Sequence, residues 1–161
     1  MPQPIPAGFH TLTPHLIVAD GFAAIEFYKK AFGAQENSRL LTPDGKTVMH
    51  AQLTIGNSIF MLGSEFPPSV LSPKSRGGAS VFLHLYVADA DAAFDHAVKA
   101  GCVVRMPVSD TFWGDRYGVV EDLCGHQWSI ATHQHDYTQA QIEANAKAFF
   151  ATMSKCGDPG K

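Results

Sequence analysis

Apolar and polar positions along this chain form a pattern that appears twice. From Thr11 to Val18 the residues alternate, with Leu12, Leu16 and Val18 on one side and Thr13, His15 and Ile17 on the other, which predicts a strand. Apolar residues then switch to helical spacing through Ala23, Ala24, Ile25, Phe27, Tyr28, Ala31 and Phe32. Asp20 suits the N-cap of that helix and Gly33 its left-handed stop. After Arg39-Leu40-Leu41, the Pro43-Asp44-Gly45 turn leads into Val48 to Ile55. There Met49, Ala51, Leu53 and Ile55 alternate with His50, Gln52 and Thr54, a strand with an unusually polar second face. Gly56-Asn57 then turns the chain into Ser58 to Leu62, so the first unit reads βαβββ.

The second unit repeats the first. Shifted by 69 positions, residues 15–31 fall on 84–100 with nine identities in seventeen. The pattern predicts a strand over Val81–Val87, a cap at Asp89, a helix from Ala92 to Ala100 ended by Gly101, and a strand over Val103–Met106. A loop over 107–116 follows, then strands Tyr117–Glu121 and Gln127–Thr132 around the turn Leu123-Cys124-Gly125. Gly56 and Gly125 also lie 69 apart, which predicts a register held through both units without net insertion. Residues 64–79, with prolines and glycines, read as a linker, and residues 1–9 as an extended arm. Thr138-x-x-Gln141 reads as a capping box opening a tail helix. Its stripe of Ile142, Ala146, Phe149, Phe150 and Met153 must cover either its own sheet or a partner chain.

Composition narrows the class. With 161 residues, 45% hydrophobic positions and eleven Phe, the chain can fill one core, whereas one repeat alone would be marginal. A net charge of −3 leaves no basic footprint for nucleic acid or anionic membrane. No signal-like start and no apolar run long enough to span a bilayer are present, so a cytoplasmic location is expected. Cys102, Cys124 and Cys156 have neither an even count nor CxxC spacing, which argues for free thiols. No G-x-G-x-x-G, P-loop or G-x-S-x-G occurs.

Two tandem βαβββ units carrying V-A-D-x-x-x-A-[IF]-[ED] resemble the glyoxalase/bleomycin resistance/dioxygenase (vicinal oxygen chelate) superfamily. His50-Ala51-x-Leu53-x-Ile55-Gly56, Phe112-Trp113-Gly114-Asp115-Arg116-Tyr117-Gly118 and Gly125-His126-x-Trp128-Ser129 resemble its PhnB-like branch. The resemblance implies an α+β fold in which two modules form curved mixed sheets around a cleft, followed by a C-terminal helix. It places one domain over residues 10–136, with module 1 at 11–63, the linker at 64–79 and module 2 at 80–133, and the tail helix at 137–155. Some PhnB-like sequences carry a methyltransferase label, but this chain has no glycine-rich cofactor loop after a strand.

In metal-dependent members, each unit donates one ligand from its first strand and one from its last. The resemblance carries those positions to Thr13, Phe82, Phe60 and Ser129, which make no divalent-metal ligand set, so no metal and no cofactor are expected. His15 and His84 stand two residues further along their strands, displaced by about 6–7 Å. With His50 they could form a displaced metal site, the basis of a rival lyase, isomerase or dioxygenase reading; the bland alternative is histidines bonded to backbone or water. The stretch Phe112 to Tyr117 is the better site candidate: Trp113 could offer a ring plate, Arg116 a cation and Asp115 an acceptor to a flat or anionic ligand. Alternatively Trp113 plugs the cleft and Arg116 pairs with Asp115, Asp122 or Glu121. Gln52 and Glu121 could line the cleft, while His126 would brace its turn and His133-x-His135-Asp136 the helix entry. The leading expectation is a metal-free, homodimeric binder of a small organic ligand, with a resistance or sequestration role. A dimerisation module with a vestigial cleft is a third reading.

Overall fold

The structure, a computed structural model, describes residues 2–156, with side chains through Met153. Two four-stranded sheets follow one another. The first contains β1 (His15–Val18), β2 (Gln35–Leu41), β3 (Val48–Ile55) and β4 (Ser58–Ser64), in the order β1-β4-β3-β2. The second contains β5 (Phe82–Tyr86), β6 (Val103–Asp110), β7 (Asp115–Glu121) and β8 (Gln127–His133), in the order β5-β8-β7-β6. In each, the first strand runs parallel to the last and the others are antiparallel. Helices α1 (Gly21–Phe32) and α3 (Ala90–Ala100) make the crossovers, α2 (Pro73–Arg76) lies in the linker, and α4 (Gln139–Cys156) follows the second sheet.

The crossover helices form where their caps permit. Asp20 is extended and accepts from the N–H groups of Phe22 and Ala23, and Gly33 closes α1 at φ 64°. Asp89 caps α3 through the N–H of Ala92. Ala24, Ile25, Tyr28 and Ala31 recur along one face of α1 and are buried against the sheet. The α1 and α3 helices pack on each other, so the core is continuous across both units.

Asp122 ties the units together. It is 5% exposed and accepts from the Tyr28 hydroxyl at 2.7 Å, Trp128 Nε1 at 2.9 Å, and the N–H groups of Cys124 at 2.8 Å and His126 at 3.0 Å. Burial, then the neighbouring Asp122 carboxylate, raises the Tyr28 phenol well above its ordinary range. His126 Nε2–H donates to the Ile17 carbonyl across the seam at 3.0 Å.

Several boundaries differ from the sequence expectation. The first strand begins at His15 rather than Thr11, because the Thr13 hydroxyl closes a turn on the His10 carbonyl and Pro14 contributes only its carbonyl, to Met61 N–H. The expected loop over 107–116 is mostly strand. Pro107 falls in a register irregularity between Met106 and Ser109, where a missing ladder donor is tolerated. Residues 111–114 make the turn, with Gly114 at φ 106° and the Thr111 hydroxyl bonded to the backbone of Asp115. The linker holds α2, pinned by Ser72 N–H on Glu65 and Lys74 N–H on the Cys124 carbonyl. The capping box at Thr138 and Gln141 is reciprocal. Cys102 and Cys124 are free and buried; the Cys156 thiol lies outside the described residues.

The expected register fails in the last strands. His15 stands beside Met61 and His84 beside Ser129, so these partners fall one residue short of the 69-residue repeat. The first unit closes β3 to β4 with a two-residue turn, pairing Ile55 with Ser58, whereas the second pairs Glu121 with Gln127 around a longer loop. Because strand side chains alternate, a slip of one residue moves a side chain to the other face.

Candidate functional site

Each sheet turns one face to the helices and leaves the other open. His15, Ile17, His50, Gln52, Thr54, Ile59 and Met61 belong to the open face of the first sheet by strand alternation, and His84, Tyr86, Tyr117 and Ser129 to that of the second. Phe60 does not reach an open face. It is 6% exposed, with its ring 5.8 Å from Tyr28 and 6.2 Å from Trp128 in the core, which corrects its expected place in the cleft. The register slip is the cause.

Arg116 is a second correction. It lies on the helix-facing side of β7, where its guanidinium forms a bidentate pair with Asp91 of α3 and a further bond to Asp110. Neither Asp115, Asp122 nor Glu121 is its partner. Those pairs hold it and lift its pKa further above the ordinary arginine value. Glu121 is on the open face but is gripped in a fork by Arg105, at 2.9 and 2.8 Å.

In the first sheet, His15 and His50 meet edge to face with ring centroids 5.6 Å apart. Partial burial, and secondarily the nearby His50 ring, lowers the His15 pKa below its ordinary value. Gly63 lies beneath: a Cβ there would stand 2.8 Å from the Met49 carbonyl oxygen and 3.7 Å from His15 Nε2. The N-terminal arm crosses this face, Gly8 approaching Ile59, and a groove of about 590 Å³ between arm and sheet is lined by Phe9, Thr13, Gln52 and Met61.

The second sheet carries a different assembly. His84 Nδ1 is hydrogen-bonded to the Ser129 hydroxyl at 2.8 Å, and its ring meets Tyr86 at 4.4 Å and Tyr117 at 5.9 Å. The Trp113 ring lies edge-on to Tyr117 at 5.4 Å. Behind the rings sits Asp115, 3% exposed, which accepts from Tyr86 OH at 3.1 Å, Trp113 Nε1 at 3.0 Å and His133 Nδ1 at 2.8 Å. Burial pushes the Asp115 pKa up, but the bonds from His133, Trp113 and Tyr86 outweigh it and hold the carboxyl below its usual range. Tyr86 is raised, by burial first and then by Asp115. His133 is raised by Asp136 on Nε2 and Asp115 on Nδ1, and so braces the entry to α4. Phe82 starts the same strand on the same face and is 53% exposed.

Sequence reasoning passes over Tyr86, and it includes Asp115 and Tyr117 in the candidate loop with the carboxylate as an acceptor for a ligand rather than as the anchor of the rings. Phe82-x-His84-x-Tyr86 is a period-two row of rings, and that row was the available signal.

The chain matches the Glyoxalase/Bleomycin resistance protein/Dioxygenase superfamily over residues 8–130. It belongs to that superfamily. An uncharacterised protein of Mycobacterium tuberculosis is 43% identical over 151 residues, covering 91% of this chain and 84% of the relative. The structure of TioX from Micromonospora sp. ML1 is similar at TM-score 0.60 and 27% identity, covering 80% of this chain and all of that one. A Bacillus cereus protein described as a putative 3-demethylubiquinone-9 3-methyltransferase, PhnB protein, shares the fold at TM-score 0.56 and 17% identity, over 76% of this chain and 99% of its own.

Within the superfamily frame, the residues at the inferred ligand positions do not fit a divalent ion. Thr13 and Ser129 are neutral hydroxyls, Phe82 has no donor, and Met61, which takes the place expected for Phe60, offers a thioether. His15 and His50 meet, while His84 belongs to the ring cluster. Among the described residues, no three His, Cys, Asp or Glu side chains are gathered to hold a metal. No described helix is long and apolar enough to cross a membrane.

Proposed function

We propose that this superfamily member binds a small aromatic molecule on the open face of its second sheet, as a metal-independent binding protein with a sequestration or resistance role. The carrying observation is Asp115. By engaging both the Tyr86 hydroxyl and the Trp113 indole N–H, it fixes two rings of the wall, of which Tyr86 is 61% exposed and offers surface to an apolar ring. A wall already held in place loses little side-chain freedom when a ligand stacks on it. His84, with Nδ1 engaged by Ser129, adds an imidazole edge that can bond a polar substituent.

The reading extends to a homodimer. Phe150 and Met153 of α4 are 59% and 57% exposed, and Phe112 covers only part of that stripe. A second copy of the chain is the proposed cover. Sedimentation of the Phe150→Glu variant should show monomers where the parent protein forms dimers; an unchanged mass would remove α4 from the interface.

Titration with 2-naphthol in the presence of chelator tests the binding reading. Saturable binding is expected, weakened roughly tenfold by Trp113→Ala, since a stacking contact contributes about 0.5–1.5 kcal/mol beyond area burial. Arg116→Ala should leave it unchanged, because that side chain faces α3. Loss of binding on adding chelator would instead favour a metal-dependent site.

A further inference from the structure

A second cavity lies away from the ring wall, at the seam between the units. It measures about 310 Å³ and is walled by Leu16 and Ile17 of β1, Leu71 of the linker, and Val81 and Leu83 at the start of the second unit, with Arg76 at its lining. That size is at the lower end of the range of about 300–1,000 Å³ for small-molecule sites. Its apolar walls are aliphatic, whereas the wall on the second sheet is aromatic.

Arg76 is distinctive among the four arginines. Arg39 pairs with Glu36, Arg105 with Glu121 and Arg116 with Asp91 and Asp110. Among the described residues, Arg76 has no carboxylate partner. Its one bond sends an Nη2 proton to the Ser69 carbonyl at 3.1 Å, which leaves most of a five-donor guanidinium free. The segment that carries it is held in place: Ser72 is fully buried and caps α2, and Lys74 and Pro73 abut Gly125. Since β1 has a sheet neighbour on one side only, and Pro14 and Val18 turn their carbonyls to β4, His15 and Ile17 direct their backbone groups to the seam. The Ile17 carbonyl is taken by His126, and the amide N–H of Ile17 lies beside it.

We infer that this seam cavity is a binding site for a short-chain aliphatic monocarboxylate. The alkyl chain lies among Leu16, Leu71 and Leu83, and the carboxylate pairs with Arg76. A guanidinium without a counter-ion at the edge of an aliphatic pocket selects an anion with an apolar body over a neutral molecule of the same shape. The site does not depend on the aromatic reading above, and the two can be tested apart.

Calorimetric titration of the full chain with sodium hexanoate and with hexanamide is the test. Hexanoate should bind saturably and roughly tenfold or more tighter than the amide, as expected for hydrogen bonds to a charged group. Arg76→Gln should abolish that preference. Val81→Trp, at an exposed cavity position where the fold tolerates bulk, should block hexanoate while leaving 2-naphthol binding intact. Trp113→Ala should do the reverse. Absence of hexanoate binding, equal binding of acid and amide, or indifference to both Arg76→Gln and Val81→Trp would overturn the assignment.

Discussion

His15 and His84 occupy the same place in two βαβββ units, yet their surroundings share little. His15 has Met61 at its side, Gly63 beneath and His50 across, and partial burial lowers its pKa. His84 has Ser129 at its side and two tyrosines around it, one of which is anchored on a buried carboxylate. Duplication preserved the topology while a longer final loop and a one-residue shift replaced the neighbours. The same change set Asp122 at the head of that loop, where it reaches back to Tyr28 of the first unit. The first unit's tight Gly56-Asn57 turn has no counterpart to that tie.

Substitutions can break this comparison in order of expected effect. Asp122→Ala leaves two buried side-chain donors and two backbone N–H groups without an acceptor and should cost about 4 kcal/mol in denaturant unfolding. Asn57→Ala, in the corresponding turn of the first unit, should change stability by less than about 0.5 kcal/mol. Equal effects would mean that the longer loop does not join the units. Next, Phe60→Ala should cost about 3 kcal/mol or more through a core cavity, and Met61→Ala about 1 kcal/mol. The opposite ranking would show that the register of β4 follows the repeat after all.

The smallest effect concerns pH. His133 has a raised pKa in the folded chain, so its contribution is fully present below its unfolded value near 6.5 and is lost as pH rises through the folded value. Amide exchange across residues 137–150 should therefore be slower below pH 6.5 than at alkaline pH, relative to the rest of the fold. His133→Gln should remove that difference. A pH response that persisted in His133→Gln would place the switch elsewhere.

What was legible in the sequence was local. Asp20, Asp89, Gly33 and the Thr138 and Gln141 box act within a turn of their own position, and each is found in its expected role. What was misread depended on partners distant in sequence. Gly56 and Gly125 align at the repeat spacing although their turns differ in length, so nothing local betrayed the slip that buries Phe60. Pro107 looked like a breaker because the bulge that accommodates it is made with β7. Arg116 stood beside plausible acidic neighbours, but strand alternation sends it to Asp91 on another element. Asp115 read as an acceptor for a ligand or as a partner of Arg116, because its bonds to three rings come from three segments that local sequence does not bring together.

The arm of residues 4–13 has a practical consequence. It lies along the first sheet's open face, with Gly8 against Ile59 and Phe9 near Gln52 and Met61. A purification peptide fused ahead of the first residue would be tethered beside that groove and could fill it as a competing guest. Affinities measured with and without such a fusion should then diverge for molecules seated on the first sheet and agree for those seated on the second.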